Sequence, residues 1–424
     1  MEEVVEDRIS ILPDGIIQQI LSYLKVQEAV STCVLSKQWR YQWTFIPNLC
    51  FDFDFYTESH MQALDQCIKQ YQGQELQKFY VETVWKAELD MIHRWLDFAV
   101  ERNVKDLTIQ GKWFTVPEAL FSCQRLQSLA FICCYLHRPS DIKCFDSLRH
   151  LSLYNVKDYD GAVDSILSKC HRLETLLLST SPEPKPLTFS VSLPELRTLH
   201  ITLKCNLFTL RGPKLQFLQV YGRIDKMDIK NTPLLTDVRF GFQEEYKEPS
   251  MNIDHLGGIM SYIANVKTFL ITEHVFKLYA AYLSNGARVV FPNCKALHLQ
   301  HVKDVLAVNS FAHFLLDFPL LEELHITFWG ENEGDQLDHD PLEEDVKLMD
   351  LFGNDRIFKH LKMVTMMYIS GCPKQMMLIK FLLEKAVKLE MLHLHLLKVA
   401  KDKKELFLEL PKASQDLTIN LYDE

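Results

Sequence analysis

The side chains of this sequence that are best able to perform chemistry are its sixteen histidines and eleven cysteines. The histidines do not have the spacing of a zinc-finger site, and no two cysteines form a C-x-x-C pair. The motifs G-x-x-x-x-G-K-[ST], G-x-G-x-x-G, G-x-S-x-G and H-E-x-x-H do not occur; these patterns mark phosphate loops, nucleophile elbows and metalloprotease sites. The sequence therefore predicts no catalytic residue, no metal site and no cofactor, with an enzyme of unrecognised site type left as an alternative.

The cysteines are odd in number and scattered along the chain from Cys33 to Cys372, which disfavours a disulfide framework. The adjacent pair Cys133 and Cys134 lies in the apolar run AFICCYL, where neighbouring residues of a strand point to opposite faces. We therefore expect free thiols that serve as small apolar core groups in a reducing compartment.

One regularity among the histidines concerns a recurring strand pattern, L-x-L, whose middle residue should point away from the apolar core. Histidine occupies this middle position in four copies: His200, His298, His325 and His393. One interpretation is the ordinary polarity of exposed strand residues. The other is a shared concave recognition surface, to which Tyr221 contributes, that captures a peptide or a small molecule. His393 and His395 share a face, but the sequence shows no third ligand for a metal.

The L-x-L strands belong to a longer repeat, L-x-x-L-x-L, whose leading leucine lies on the turn into the strand. Copies with conservative replacements recur between residues 126 and 394, and partial copies lie at 107–109 and 417–419. The average spacing of about 26 residues lies inside the range of roughly 20–29 that is typical of leucine-rich repeats. The pattern predicts an α/β solenoid, with a curved parallel β-sheet and with helices or loops on its convex side. It also predicts helices at 311–318 and 375–386 and loops at 181–186 and 243–250.

The first fifty residues contain three short helical patterns. Apolar residues at positions 16, 17, 20, 21 and 24 form a stripe after Asp14, which is placed to cap that helix. A second stripe covers positions 29–34, and Ser36 is placed to cap a third helix. Three helices in about forty residues bury too little apolar surface to be stable alone. The segment is therefore either a helical cap packed on the rest of the chain or a docking module whose apolar surface a partner completes.

The run LPDGIIQQILSYL followed by AVSTCVLSKQWRYQW resembles the F-box motif. The resemblance implies a docking module for the Skp-type adaptor of cullin-RING ubiquitin ligases. It also implies that the matching positions provide or support the adaptor contact, namely Leu12, Pro13, Asp14, Ile16, Ile20, Leu21, Leu24, Val34, Leu35, Ser36, Lys37, Trp39, Arg40 and Trp43. Gln38 departs from the arginine that is frequent in the family. Gly15 replaces a better helix former, which weakens the first turn by up to about 1 kcal/mol.

The repeats resemble the irregular leucine-rich repeats of plant F-box proteins, and residues 360–398 resemble the FBD region found at the end of many of them. The expected division is an F-box at 7–50, a helical linker at 51–103, leucine-rich repeats at 104–354 and an FBD-like region at 355–424. Helices are expected in the linker around 60–72 and 88–102.

Composition and charge exclude several classes of partner. The net charge is −10 with no cluster of lysine and arginine, so nucleic-acid binding is disfavoured. The N-terminus lacks the apolar core of a signal peptide, and no uncharged apolar run approaches the roughly 18 residues of a membrane span. We expect a soluble protein of the nucleus, the cytoplasm or both. The acidic segment 330–345 is expected to be a solvated loop, with a calcium site or a basic partner's docking point as alternatives.

The resemblance implies a function of adaptor type. The F-box would bind the Skp-type adaptor and through it a cullin-RING scaffold, while the repeats recruit a target protein for ubiquitination and proteasomal degradation. This chain would contribute proximity and orientation, not catalysis. Two alternatives stay open: a ligand sensor similar to plant hormone receptors, whose concave face holds a small molecule, and a non-enzymatic interaction scaffold.

Overall fold

The computed structural model describes residues 9, 11–51, 57–84, 88–140, 142, 145–180, 187–241, 253–302, 308–329 and 358–423. The segments 181–186, 243–250 and 330–345, which the sequence predicts as loops, lie outside the described residues. The chain forms two compact units, Met1–Lys204 and Cys205–Glu424, called the first and the second unit.

The first unit begins with a small helical module. Its elements are α1 (Asp14–Leu21), α2 (Val26–Ser31) and two 3₁₀ helices, Thr32–Val34 and Trp39–Phe45. Its buried apolar residues are Ile17, Leu21, Val26, Ala29, Trp39 and Trp43. The stripe of α1 is therefore divided, because Ile17 and Leu21 face this core while the neighbouring Ile16 and Ile20 are exposed.

Two predicted helix caps of this module are wrong. Pro13 holds the cap position of α1, and Asp14 is the first helical residue. The Asp14 carboxylate instead accepts a hydrogen bond from Nε2 of Gln38 at 3.0 Å. The third helix begins at Trp39, too far along the chain for Ser36 to cap it. The Ser36 hydroxyl is buried and has no hydrogen-bond partner within the described part of the chain.

A parallel sheet follows in the first unit, in the order β1-β2-β3-β4-β5-β6-β8. The strands of this stretch are β1 (Asn48–Phe51), β2 (Lys78–Val84), β3 (Asp106–Thr115), β4 (Ser128–Leu136), β5 (His150–Asp158), β6 (Thr175–Thr180), β7 (Leu187–Ser192) and β8 (Thr198–Arg211). The helices are α3 (Glu58–Gln70), α4 (Leu89–Glu101), the 3₁₀ helix Glu118–Ser122 and α5 (Ala162–Leu167). The strand β8 spans the boundary between the two units.

The segment 51–103, predicted as a helical linker, contains strand as well as helix. The two predicted helices are present as α3 and α4, but β1 and β2 pair in parallel with each other and β2 pairs with β3. The sheet therefore starts at Asn48, directly after the helical module. Backbone hydrogen bonds tie the two together, from the amide of Gln72 to the carbonyl of Thr44 at 2.9 Å and from the amide of Gln77 to the carbonyl of Pro47 at 2.8 Å.

The second unit contains a parallel sheet in simple chain order. Its strands are β9 (Phe217–Lys230), β10 (Asp237–Gly241), β11 (Thr268–Thr272), β12 (Ala296–Val302), β13 (Glu323–Phe328), β14 (Met363–Ile369), β15 (Met391–Leu396) and β16 (Thr418–Asp423). Its helices are α6 (Ile253–Tyr262), α7 (Glu273–Ser284), α8 (Val308–Leu315), α9 (Pro373–Lys385), the 3₁₀ helix Lys398–Lys403 and α10 (Lys404–Glu409). The helices α8 and α9 confirm the predictions at 311–318 and 375–386.

The leucine repeat forms the core of both sheets. In the copy at 126–131 the residues Leu126, Leu129 and Phe131 are all buried, and the same three positions are buried in every copy up to Leu389, Leu392 and Leu394. Equivalent core residues are register partners on adjacent strands. Each buried leucine contributes about 1.5–3 kcal/mol of apolar burial. This explains why residues can be inserted between the strands, whereas the three positions stay apolar in every copy.

Candidate functional site

The helical module exposes an apolar outer surface. Val34 and Tyr23 are more than four-fifths exposed, at 83% and 81%. Other large apolar side chains that are exposed on the module are Ile9, Ile11, Ile16, Ile20, Leu35, Tyr41 and Phe45. Exposed apolar side chains in such number on one small module indicate an interaction surface. This set of nine residues is called the outer surface below.

The structure divides the predicted adaptor-binding residues into three groups. Those that lie exposed are Pro13, Asp14, Ile16, Ile20, Val34, Leu35, Lys37 and Arg40, and Leu12, Leu24 and Ser36 are half-buried. Leu21, Trp39 and Trp43 are buried and cannot contact a partner directly. The indole of Trp39 donates a hydrogen bond to the carbonyl of Ile9 at 3.1 Å, so the buried group holds the module in shape.

Sequence reasoning missed five residues of the outer surface: Ile9, Ile11, Tyr23, Tyr41 and Phe45. For Tyr23 a signal was present, because Ile16, Ile20 and Tyr23 follow the i, i+4, i+7 spacing of one helical face. Tyr41 and Ile11 lie outside any regular α-helix, so no period could assign them to a face.

Gln38 has a structural role that accounts for its place in the motif. Its side-chain nitrogen donates to the carbonyl of Leu12 at 2.7 Å and to the carboxylate of Asp14 at 3.0 Å. The amide thereby connects the third helix to the Leu12-Pro13-Asp14 turn. Gln38 therefore supports the start of α1, although it is not part of the apolar outer surface.

The second candidate site is the face of the second-unit sheet that is opposite the leucine core, called the open face. The middle residues of the L-x-L strands line up across it as register partners: Gln219, Arg239, Leu270, His298, His325, Thr365, His393 and Asn420. On β12, β13, β14 and β15 buried neighbours alternate with them, whereas Leu270 on β11 is itself buried. The predicted orientation of His298, His325 and His393 away from the core is confirmed.

His298 and His325 form a stacked pair. They are register partners on β12 and β13, with ring centroids 4.4 Å apart and ring planes within 6°. Burial, the neighbouring His325 and Arg239 lower the pKa of His298 to about 4. Burial also lowers the pKa of His325, although Glu323, whose carboxylate lies 3.7 Å from Nε2, opposes this shift. His298 is therefore uncharged near neutral pH and can stack, donate and accept.

A second polar cluster lies on β15 and β16. Nδ1 of His393 lies 3.2 Å from the hydroxyl of Tyr422 and 3.5 Å from Nδ2 of Asn420. The ring of Tyr422 stacks on His395 with centroids 4.6 Å apart. Among the described residues, no three side chains of histidine, cysteine, aspartate or glutamate lie close enough to hold a metal ion.

The remaining two predicted recognition residues, Tyr221 and His200, lie in different units. Tyr221 lies on β9 with Gly241 as its register partner, and a side chain at 241 would collide with the tyrosine ring. Glycine thus gives Tyr221 its place on the open face of the second unit. His200 is half-buried on β8 in the first unit, with Leu177 as its register partner.

The first unit carries an aromatic group that sequence reasoning did not identify. Trp113, Tyr135 and Tyr159 follow one another at centroid distances of 5.1 and 6.2 Å, and His137 stacks on Tyr159 at 4.9 Å. The ammonium of Lys157 lies 4.9 Å from the Trp113 ring, within cation–π distance. These five residues are called the Trp113 cluster.

The thiol prediction is confirmed for the described residues, in which every cysteine is free; Cys144 lies outside them. Burial raises the pKa of Cys134, and the neighbouring Cys133 adds to this effect, as expected for an inert core thiol. No helix of the described chain is long and apolar enough to span a bilayer.

Two family models match this chain. The F-box domain matches residues 9–50, and the LRR domain of At1g61320/AtMIF1 matches residues 67–413. The matched ranges agree with the helical module and with a sheet that begins before residue 104.

Curated relatives from Arabidopsis thaliana share the same domains in their names. F-box/LRR-repeat protein At3g26922 is 30% identical over 251 residues, which are 55% of this chain and 82% of the relative. F-box/FBD/LRR-repeat protein At3g52680 is 34% identical over 209 residues, 46% of this chain and 45% of the relative. Putative F-box/FBD/LRR-repeat protein At3g49030 is 27% identical over 350 residues, 77% of this chain and 74% of the relative.

The helical module, the leucine-lined parallel strands and these matches agree with one another. They confirm the resemblance read from the F-box motif, from the repeat and from residues 360–398. The chain belongs to the plant F-box/leucine-rich-repeat proteins with a C-terminal FBD-like region.

Proposed function

We propose that this protein is the substrate-recognition subunit of an SCF-type ubiquitin ligase. Its F-box binds a Skp-type adaptor and through it the cullin-RING scaffold, and its repeats bind the protein to be ubiquitinated. The names of the family imply an adaptor role in general, and the absence of a catalytic motif in the sequence is consistent with a chain that performs no chemistry itself. We further propose that it acts in the nucleus, the cytoplasm or both, which fractionation of cells that express the tagged chain would test.

The observation that carries this proposal is the outer surface of the F-box. Ile17, Leu21, Trp39 and Trp43 belong to the buried core of the module, whereas Val34, Leu35 and the other outer residues lie outside that core. They are available to a partner, whose contact would be largely apolar.

The attachment of the F-box to the sheet gives the proposal its mechanism. The hydroxyl of Tyr71, which follows α3, donates to the carbonyl of Ile46 at 3.1 Å, and β1 begins two residues after Ile46. The F-box is thus joined to the first strands without a flexible linker. A target held by the repeats would be tethered to the ligase, which raises the effective concentration of its lysines at the ubiquitin donor.

The test is co-purification of the full chain with a Skp-type adaptor. Replacement of Val34 and Leu35 with aspartate (Val34→Asp, Leu35→Asp) places charges in the apolar contact, and we expect the retained adaptor to fall at least about tenfold. The matched control replaces Val399 and Leu406, which are similarly exposed in the second unit, with aspartate, and it should retain the adaptor. Equal retention by both double variants would contradict the proposal.

Two cavities among the described residues can be compared with the alternative of a small-molecule sensor on the open face. One cavity of about 20 Å³ is lined by core residues that include Val220, Phe240 and Leu256. That volume admits about one water molecule. A larger groove of about 330 Å³ lies between α7 and α8 beside Arg288 and His313, on the helical side of the sheet.

A further inference from the structure

The open face of β12–β16 has an unusual composition. Two rows of register partners cross the five strands, Ala296, Glu323, Met363, Met391 and Thr418, and then His298, His325, Thr365, His393 and Asn420. The residues that follow two positions later are Gln300, Thr327, Met367, His395 and Tyr422, where the register shifts between β12 and β13 and between β14 and β15. Apart from the histidines, the one ionisable side chain at these described positions that is charged at neutral pH is Glu323. The side chains here are therefore thioether, imidazole, amide, hydroxyl and phenol groups.

The apolar part of this face is adaptable. Met363 and Met367 are half-buried on β14, and Met391 on β15 is exposed. Unbranched methionine side chains fill irregular gaps and tolerate varied partners. Tyr422 adds an exposed ring at the edge of the same area. Such a surface contacts apolar side chains of a ligand without demanding one shape.

The polar part of the face offers hydrogen bonds without a strong positive charge. The stacked rings of His298 and His325 present imidazole nitrogens, and Gln300, Thr365 and Asn420 add amide and hydroxyl groups that both donate and accept. Donors and acceptors at the spacing of adjacent strands suit an extended peptide segment.

We propose that the open face of β12–β16 binds an extended segment of the target protein that is uncharged and not phosphorylated. The inference rests on the proposed function, because it names the class of target that the repeats present to the ligase. The bound segment supplies apolar side chains to the three methionines and to Tyr422, and amide or hydroxyl groups to the histidine row.

Phosphorylated or strongly acidic segments do not fit this surface. Phosphate recognition in proteins depends on arginine and lysine, and the nearest arginine of the row, Arg239 on β10, has its guanidinium 5.0 Å from the centre of the Phe217 ring. Lys295 and Lys362 precede β12 and β14, and their ammonium groups lie 2.7 and 2.8 Å from the carboxylate of Glu322. Glu323 on the face itself would repel an anion.

The experiment uses the full chain bound to a Skp-type adaptor and immobilised through the adaptor. Three equimolar pools of nine-residue peptides are applied together, with degenerate positions drawn from leucine, phenylalanine, tyrosine, asparagine, glutamine and threonine. The central residue is serine in the first pool, phosphoserine in the second and lysine in the third. Retained peptides are quantified by mass spectrometry. We expect the serine pool to be enriched at least about tenfold over the phosphoserine pool and several-fold over the lysine pool.

A variant series locates the binding. His298→Ala combined with Met363→Ala should abolish the enrichment, whereas His360→Ala, an exposed histidine just before the leading leucine of β14, should preserve it. Circular dichroism melting of both variants shows whether each is folded. A second disruptive variant, Thr365→Arg, places a cation in the centre of the row without touching the core and should reverse the order of the serine and phosphoserine pools.

The outcomes separate this inference from the proposed function. Three results would overturn the inference and leave adaptor binding intact. The first is enrichment of the phosphoserine or the lysine pool, and the second is equal enrichment of the serine pool by the parent chain and by His298→Ala/Met363→Ala. The third is retention of no pool by a chain that holds the adaptor. Failure of the parent chain to bind the adaptor at all would overturn the proposed function instead.

Discussion

The pKa of His298 depends both on its burial in the strand and on the charged groups beside it. Its imidazole is half-buried on the open face, stacked on His325 and near the cation of Arg239. Each of these surroundings opposes protonation of the ring. The folded protein therefore keeps His298 neutral at a pH where the unfolded chain has already taken up a proton.

The first prediction concerns the stability of the chain between pH 6.5 and pH 4. Because the pKa of His298 falls from 6.5 to about 4 on folding, the unfolded state binds more protons in this window, and stability declines as the pH falls through it. His298→Gln should weaken that decline by on the order of 1 kcal/mol, a figure kept small because solvent screens the partly exposed ring. Urea denaturation of the full chain at several pH values measures the effect.

The control for this measurement is His360→Gln, at an exposed position. It should leave the dependence of the denaturation midpoint on pH unchanged. If the free energy of unfolding depends on pH in the same way for His298→Gln and for the parent chain, the stacked pair does not keep the ring neutral.

Each strand of the repeat has a buried leucine face and an open face, and a second prediction tests the difference between them. Leu324 on β13 is fully buried, whereas Thr365 on β14 lies on the open face. Leu324→Ala should lower the free energy of unfolding by about 2–5 kcal/mol, because it removes buried methyl groups and leaves a cavity. Thr365→Ala should change it by less than about 0.5 kcal/mol.

Thermal or urea denaturation measures the change in the free energy of unfolding for both variants. A similar loss for both would mean that the two faces of the strand are equally packed, and a loss for Thr365→Ala alone would mean that their assignment is inverted.

A third prediction concerns the helices on the core side. The carboxylate of Asp317, which follows α8, is completely buried; it pairs with Arg288, and Tyr279 of α7 donates to it at 3.2 Å. Burial raises the pKa of Asp317, and Arg288 opposes that shift. Arg288→Met should therefore destabilise the second unit by about 2–4 kcal/mol, since it leaves a buried charge without its cation.

The double variant Arg288→Met/Asp317→Asn provides the matched comparison. Asparagine keeps an acceptor for Tyr279 but carries no charge, so much of the lost stability should return. If the double variant is no more stable than Arg288→Met alone in denaturation experiments, the charge of Asp317 is not the cause of the loss.

A fourth prediction belongs to the whole molecule, because it separates recognition from folding and from ligase assembly. Combined alanine substitution of His200, His298, His325 and Tyr221 should leave the melting temperature and adaptor binding nearly unchanged, since surface changes are usually worth less than about 0.5 kcal/mol each. Turnover of the cellular target should fall, because truncation of central interface residues costs about 2 kcal/mol or more. Pulse-chase measurement of proteins that co-purify with the chain provides the readout.

The matched control for the fourth prediction replaces three exposed residues outside the open face with alanine, His171, Tyr262 and His360. Turnover should persist in this control. If it also persists in the combined variant of His200, His298, His325 and Tyr221, target recognition lies elsewhere, and the Trp113 cluster of the first unit is the next surface to substitute.

The sequence by itself determined the repeat, because each leucine triplet is buried against the equivalent triplet of the next strand and the pattern survives any insertion between strands. It also determined the F-box, whose two halves lie within about forty residues, so that local spacing was informative.

The tertiary structure alone decided which apolar residues of the F-box face outward. Leu21, Trp39 and Trp43 are buried while Val34 and Leu35 are exposed, and packing between short helices carries no period from which this could be read. Asp14 illustrates the same limit, since its partner Gln38 comes from another helix.

The stacking of the histidines was decided only in three dimensions, whereas the start of the sheet carries the repeat in a substituted form that sequence reasoning passed over. The segments IPNLCF at 46–51 and LQKFYV at 76–81 have apolar, buried residues at the three repeat positions, and β1 pairs in register with β2 as β2 does with β3. His298 and His325 are adjacent because β12 pairs in register with β13. The repeat indicates that equivalent positions pair, because register follows the buried pattern, but the stacking of the two rings at 4.4 Å depends on side-chain packing, which a one-dimensional repeat does not specify.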